Sequence, residues 1–141
     1  MKIIIFFALA TLFLTTNCDS QNNRQNNPYL PNYSFSILIN TNLPTYSGLT
    51  SAINPIIIND AATSISVIVM KVTDTDFRAW DINCPNQSPT TCSRMTIKGV
   101  DALCSCDKIE YSLFTGVGTG NYGMKSYSVE VLGNNAIRIY N

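Results

Sequence analysis

Residues 103–116 read LCSCDKIEYSLFTG: Cys104 and Cys106 flank one serine, and a short strand-like run then closes on Thr115 and Gly116. A second segment, Cys84-Pro85-Asn86, lies upstream, and Cys92 falls between the two. These four cysteines form an even set, and in an exported chain such a set reads as a disulfide framework with three possible pairings. The chain contains no histidine. That absence removes serine–histidine catalysis, which needs an imidazole base. A zinc set can still be drawn from the thiolates of Cys84, Cys104 and Cys106 with the Asp107 carboxylate. An oxidising compartment opposes it by turning the thiols into disulfides, and Asn86 is a poor ligand because its amide is neutral and weakly basic.

The compartment is indicated at the other end of the chain. Residues 1–18 read MKIIIFFALATLFLTTNC, with Lys2 as a short positive region and Ile3 to Leu14 as an apolar stretch. A bilayer-spanning helix needs about 20 apolar residues, so residues 1–17 are expected to be a cleavable export signal. Cys18, directly after the apolar run, makes this start resemble a bacterial lipoprotein signal, with Thr16 and Asn17 where small residues are usual. The resemblance implies that Cys18 is lipidated and becomes the new N-terminus, which anchors the chain to a membrane. The other reading is an ordinary secreted protein with Cys18 as a spare thiol. Residues 19–28, DSQNNRQNNP, have nothing apolar to bury, so residues 18–28 are expected to act as a disordered polar tether. The Asn-rich composition and the anchor resemble Bacteroidota lipoproteins, many of which sit in the outer membrane. Nine basic and nine acidic residues cancel, and without a basic face no nucleic acid is expected as a partner.

Residues 29–141 are enough for one small domain, and they read as strand almost throughout. In Tyr33 to Ile39 the residues Phe35, Ile37 and Ile39 share one face. Ile56 to Ile58 is a short apolar run. Ile65 to Val72, ISVIVMKV, is apolar at nearly every position and is expected to be a central strand. Phe77 to Asp81 follows an acidic turn, Thr73 to Asp76. Near the end, Tyr127, Val129 and Val131 alternate with polar residues, and Gly133-Asn134-Asn135 turns the chain into Ala136 to Tyr140, where Ile137 and Ile139 share a face. Short strands separated by turns predict an all-β sandwich or small barrel.

Other features read as structural. Residues 116–123, GVGTGNYG, have no P-loop lysine and precede a strand, so they are expected to be a mobile connecting loop rather than a phosphate cradle. Asp74, Asp76 and Asp81 are expected to be solvated turn carboxylates rather than calcium ligands. Of the seven tyrosines, Tyr33, Tyr127 and Tyr140 are expected to be half-buried strand residues.

The spacing of Cys84-Pro85-Asn86 and of LCSCDKIEYSLFTG resembles the two cluster-binding loops of Rieske iron–sulfur proteins, which run roughly C-x-H and C-x-C-H-G-x-x-F-D-L-x-T-G. Cys84, Cys104 and Cys106 match cysteine positions, while Asn86 and Asp107 stand where the two histidines belong. A Rieske centre takes two cysteines and two histidines. The resemblance covers about Phe77 to Ile139. It implies stacked antiparallel β-sheets with a small inserted cysteine-bearing subdomain, about residues 82–123, which has lost its metal ligands. It also implies the pairings Cys84–Cys104, from the two positions that would share an iron, and Cys92–Cys106, in the place of the disulfide that braces the loops in many family members. No cofactor and no enzymatic activity are expected. The expected role is a structural or accessory interaction subunit of an envelope complex, with an outer-membrane or other envelope protein as partner. Partners dock at the cluster tip in Rieske proteins, so Pro85, Asn86, Gln87, Asp107 and Tyr122 are the interaction candidates. The alternatives are an electron carrier with a [2Fe–2S] cluster on an unorthodox ligand set, and a small-ligand binding module using the vacated metal pocket.

Overall fold

The computed structural model describes residues 26–141. The expected export signal, Cys18 and the tether through residue 25 lie outside the described residues. The strands are β1 (Ser36–Asn40), β2 (Ile56–Asp60), β3 (Ile65–Lys71), β4 (Phe77–Asp81), β5 (Thr96–Lys98), β6 (Asp101–Leu103), β7 (Glu110–Ser112), β8 (Ser126–Gly133) and β9 (Ala136–Tyr140). All of their pairings are antiparallel. The architecture is the one expected: all-β, with stacked antiparallel sheets and a small inserted cysteine-bearing subdomain.

Six strands run in the order β1-β9-β8-β4-β3-β2, and β5-β6-β7 form a separate three-stranded sheet. Only two register pairs, Ala79 with Tyr127 and Trp80 with Ser126, join β4 to β8. The large sheet bends at this narrow junction, and its two halves close on one core. Phe35, Ile37, Ile39, Tyr127, Ile137 and Ile139 come from the β1-β9-β8 side, and Ile58, Val67, Val69 and Ala79 from the other. Each contributes alternate residues, as the pleat requires. The rings of Phe35 and Tyr127 meet edge to face at 4.8 Å.

A second core forms on the opposite face of β3 and β4. There Ile68, Met70 and Trp80 pack against Met95, Ala102, Tyr111, Leu113, Met124 and the sulfurs of Cys84 and Cys104. Val67 to Met70 are therefore all fully buried, which is why β3 has no polar alternation: both of its faces are covered. The inserted sheet thus forms a third layer on the large one.

The closing hairpin is where its turn residues place it. Gly133, Asn134 and Asn135 all have positive φ, at 80°, 51° and 57°, a conformation that glycine and asparagine tolerate best. Several expectations fail here and nearby. Val131 is 41% exposed although its register partner Ile137 is buried, and the β8–β9 register shifts just beyond it, between Val131 and Gly133. Of the three tyrosines expected to be half-buried, Tyr33 is 57% exposed, since β1 starts only at Ser36, Tyr140 is exposed and Tyr127 is buried in the first core. A 3-10 segment, Pro44–Thr50, buries Leu49 under the first core, where no element was anticipated.

Candidate functional site

The two cysteine-bearing loops leave adjoining strand ends and are tied into one unit. After β4 the chain makes a hairpin-like excursion: the amide of Met95 donates to the Ile82 carbonyl at 2.8 Å, and the amide of Cys84 donates to the Ser93 carbonyl at 2.8 Å. After β6 it makes a tight turn in which the Lys108 amide donates to the Cys104 carbonyl at 3.0 Å. Lys108 is in the left-handed region at φ 63°. Disulfides join Cys84 to Cys104 and Cys92 to Cys106, with Cα atoms 5.6 and 5.3 Å apart. These are the pairs that the resemblance implies. Cys84 and Cys104 are fully buried, whereas Cys92 is exposed and Cys106 half-buried.

Asn86 occupies a position expected to have lost a ligand, and its amide makes three hydrogen bonds. Its Nδ2 donates to the Tyr111 hydroxyl at 2.8 Å and to the Tyr122 carbonyl at 2.9 Å, and its Oδ1 accepts from the Tyr122 amide at 2.8 Å. One neutral side chain thus fastens the first loop to β7 and to the chain that leads into β8. Burial pushes the Tyr111 phenol above its ordinary pKa, against the hydrogen bond from Asn86, which lowers it. Asp107 is exposed, and its Oδ1 accepts from the Ile109 amide two residues on, at 3.0 Å. Its carboxylate therefore closes a turn.

This donor set does not fit a Rieske cluster, which takes two thiolates and two imidazoles. The sulfurs of Cys84 and Cys104 are bonded to each other, the neutral Asn86 amide is a weak ligand already engaged with Tyr111 and Tyr122, and Asp107 is held by its own turn. Among the described residues, no group of three or more His, Cys, Asp or Glu converges as a metal site.

The glycine-rich stretch is packed, not a free connecting loop. A Cβ on Gly116 would lie 2.4 Å from the Trp80 ring, and one on Gly120 would lie 2.3 Å from the Asn86 amide. The glycines let backbone approach a ring and an amide that any side chain would displace. Trp80 in turn donates its indole N–H to the Leu113 carbonyl at 2.9 Å, which pins the large sheet to the inserted one.

The N-terminal segment closes over the same end of the molecule. Asn27, expected in the tether, is buried, and its Nδ2 donates to the Pro85 carbonyl at 2.7 Å. The Tyr29 and Tyr122 rings meet edge to face at 5.9 Å, and the Lys125 ammonium donates to the Pro31 carbonyl. Of the five interaction candidates, Pro85 is buried, Asn86, Gln87 and Tyr122 are half-buried, and only Asp107 is exposed.

A second polar cluster, unexpected from the sequence, underlies this segment. The Tyr127 hydroxyl donates to Asp81 Oδ2 at 2.6 Å, and Asp81 Oδ1 accepts from the Asn83 amide at 2.7 Å. Asp81 is thus a half-buried acceptor and not a solvated turn carboxylate. Asp74 and Asp76 pair instead with Lys71 and Arg78. Burial lowers the Lys125 pKa, with nearby Asp81 opposing. Burial also raises the Tyr127 pKa strongly, and Asp81 adds to the rise. Lys125 stands at the head of β8 where a solvent-facing residue would be expected, so only its pairing with the distant Pro31 reveals it.

No protein-family model matches the chain, and no curated protein matches it. Among solved structures it is similar to a protein assigned as the small subunit of an NADH-dependent nitrite reductase from Mycobacterium tuberculosis. The two are 13% identical, and the match covers 78% of this chain and 97% of that one at a TM-score of 0.47. It is also similar to the ferredoxin of carbazole 1,9a-dioxygenase from Nocardioides aromaticivorans IC177, at 16% identity over 67% of this chain and 90% of that one, TM-score 0.45.

Proposed function

We propose that the protein is a non-enzymatic envelope lipoprotein, a Rieske-like domain without a cluster that serves as a structural or accessory subunit of a membrane complex. The observation that carries this reading is the cross-link between Cys84 and Cys104, the two cysteines at ligand positions, beside an Asn86 amide already filled by Tyr111 and Tyr122. A cofactor pocket is replaced by a disulfide and an amide staple, which give rigidity without redox chemistry at a metal. Lipidation at Cys18 would hold the domain at a membrane, in the outer membrane if the Bacteroidota resemblance holds. The partner would be another envelope protein.

The test is iron and acid-labile sulfide per chain, with a visible spectrum, on the exported protein. The expected result is neither iron nor sulfide and no free thiol among Cys84, Cys92, Cys104 and Cys106. Stoichiometric iron with a charge-transfer band would overturn the reading in favour of electron transfer. Lipidation is read separately, from incorporation of labelled fatty acid that Cys18→Ser abolishes.

A further inference from the structure

The two disulfides tie the same loops, but their surroundings differ. Cys84–Cys104 lies wholly within the second core. Cys92–Cys106 lies at the surface beside a small network of side-chain donors.

Its hub is Ser93, which is fully buried. The Ser93 hydroxyl oxygen accepts from Gln87 Nε2 at 2.9 Å and from the Thr90 amide at 2.8 Å. A hydroxyl oxygen has two acceptor positions, and both are filled. Ser93 must then donate its own proton, with Thr90 Oγ1 at 3.0 Å, the Ser88 carbonyl at 3.3 Å and Cys106 Sγ at 4.0 Å in reach. Thr90 has no place left to donate on Ser93. Its remaining neighbours are Cys92 Sγ at 3.4 Å and Cys106 Sγ at 3.8 Å. A disulfide sulfur carries no proton, so Thr90 is the donor, and its single proton is shared between the two contacts.

We propose that Cys92–Cys106 is a thiol–disulfide exchange site for a protein vicinal dithiol, and that the Thr90 hydroxyl stabilises the sulfur that leaves as thiolate. One thiolate of the dithiol attacks the exposed Cys92 Sγ. A mixed disulfide forms, the Cys92–Cys106 bond breaks, and Cys106 leaves as a thiolate within reach of Thr90. The second thiol of the dithiol then attacks its own partner sulfur in the mixed disulfide and releases Cys92. Two electrons and two protons pass to Cys92 and Cys106, and the dithiol becomes a disulfide. Cys84–Cys104, out of reach in the core, holds the loops throughout. Exchange chemistry of this kind is governed by access and by the stability of the leaving thiolate.

The experiment is timed reduction of the full oxidised chain by dithiothreitol, with iodoacetamide trapping and peptide mass spectrometry. Cys92 and Cys106 should become alkylated together, at least tenfold faster than Cys84 and Cys104. Labelling of all four cysteines in one step would overturn the proposal. Thr90→Val, which keeps the shape and loses the donor, should slow the first step about tenfold, the order of one hydrogen bond to a charged group. Thr90→Ser should restore it. Equal rates in all three proteins would overturn the role of Thr90. A CxxC oxidoreductase lacking its second cysteine should be trapped on Cys92, and trapping on Cys106, or none, would overturn the assigned partner and point of attack.

Discussion

Asn86 shows how one side chain can tie together distant parts of a chain. Its three hydrogen bonds reach residues 25 and 36 positions away. Asn86→Ala strands the Tyr111 hydroxyl and both backbone groups of Tyr122, and should cost about 2–3 kcal/mol, since each buried group left unpaired costs about 1–3 kcal/mol. Urea denaturation reads this directly. Tyr127 governs a different regime. Its folded pKa is raised, so the folded chain keeps a proton that the unfolded chain loses above about pH 10. Its contribution is full below that pH and declines as pH rises further, by up to about 1.4 kcal/mol per pH unit. Tyr127→Phe should flatten that alkaline decline, leaving the smaller share from Tyr111, which shifts in the same direction. Lys125 acts oppositely, because a lowered folded pKa adds stability as pH rises towards its ordinary value. Thermal melts between pH 8 and 11 compare the variants. At this scale the sequence is partly legible. The cysteines announce themselves by type and spacing, but Tyr111, Lys125 and Asp81 take their roles from partners that only the fold brings near.

At the scale of elements, the sequence is most legible where burial is one-sided or total. β1 and β9 alternate because one face meets the core, and β3 does not alternate because both faces do. The failures fall where local packing overrides the pattern, as at Val131, which stays exposed near the β8–β9 turn although its partner Ile137 is buried. The 3-10 segment Pro44–Thr50 is too short to show a period, and it buries only Leu49. The glycine-rich stretch reads as a loop by composition, yet its glycines answer to a ring and an amide far away in sequence. Gly116→Ala tests this. The new Cβ would collide with Trp80, and φ at Gly116 is +69°, so we expect a loss of about 2–3 kcal/mol, in the range of overpacking. Trp80 is the only tryptophan, and its emission should shift to longer wavelength as the ring is pushed from its pocket.

At the scale of the molecule, three layers share two cores, and the cross-links lie where the inserted sheet meets the large one. Replacing both Cys84 and Cys104 by alanine should cost about 3 kcal/mol, the chain-entropy value for a loop of this length. That is a large share of the stability of a small domain. The midpoint of chemical denaturation reports it, and Cys92→Ala with Cys106→Ala provides the comparison. The arrangement of layers was legible through the loop motif and the strand patterns together. The path of residues 27–31 was not, because a polar stretch with few apolar residues carries no sign that Asn27 is buried.

That path fixes a polarity. Asn27 is bound to Pro85 and Lys125 to Pro31, so the chain emerges beside the cross-linked loops. The hairpin turn at Gly133 lies at the far end of β8. The described chain therefore starts at the cysteine pole of the domain, and the Gly133 turn marks the opposite pole.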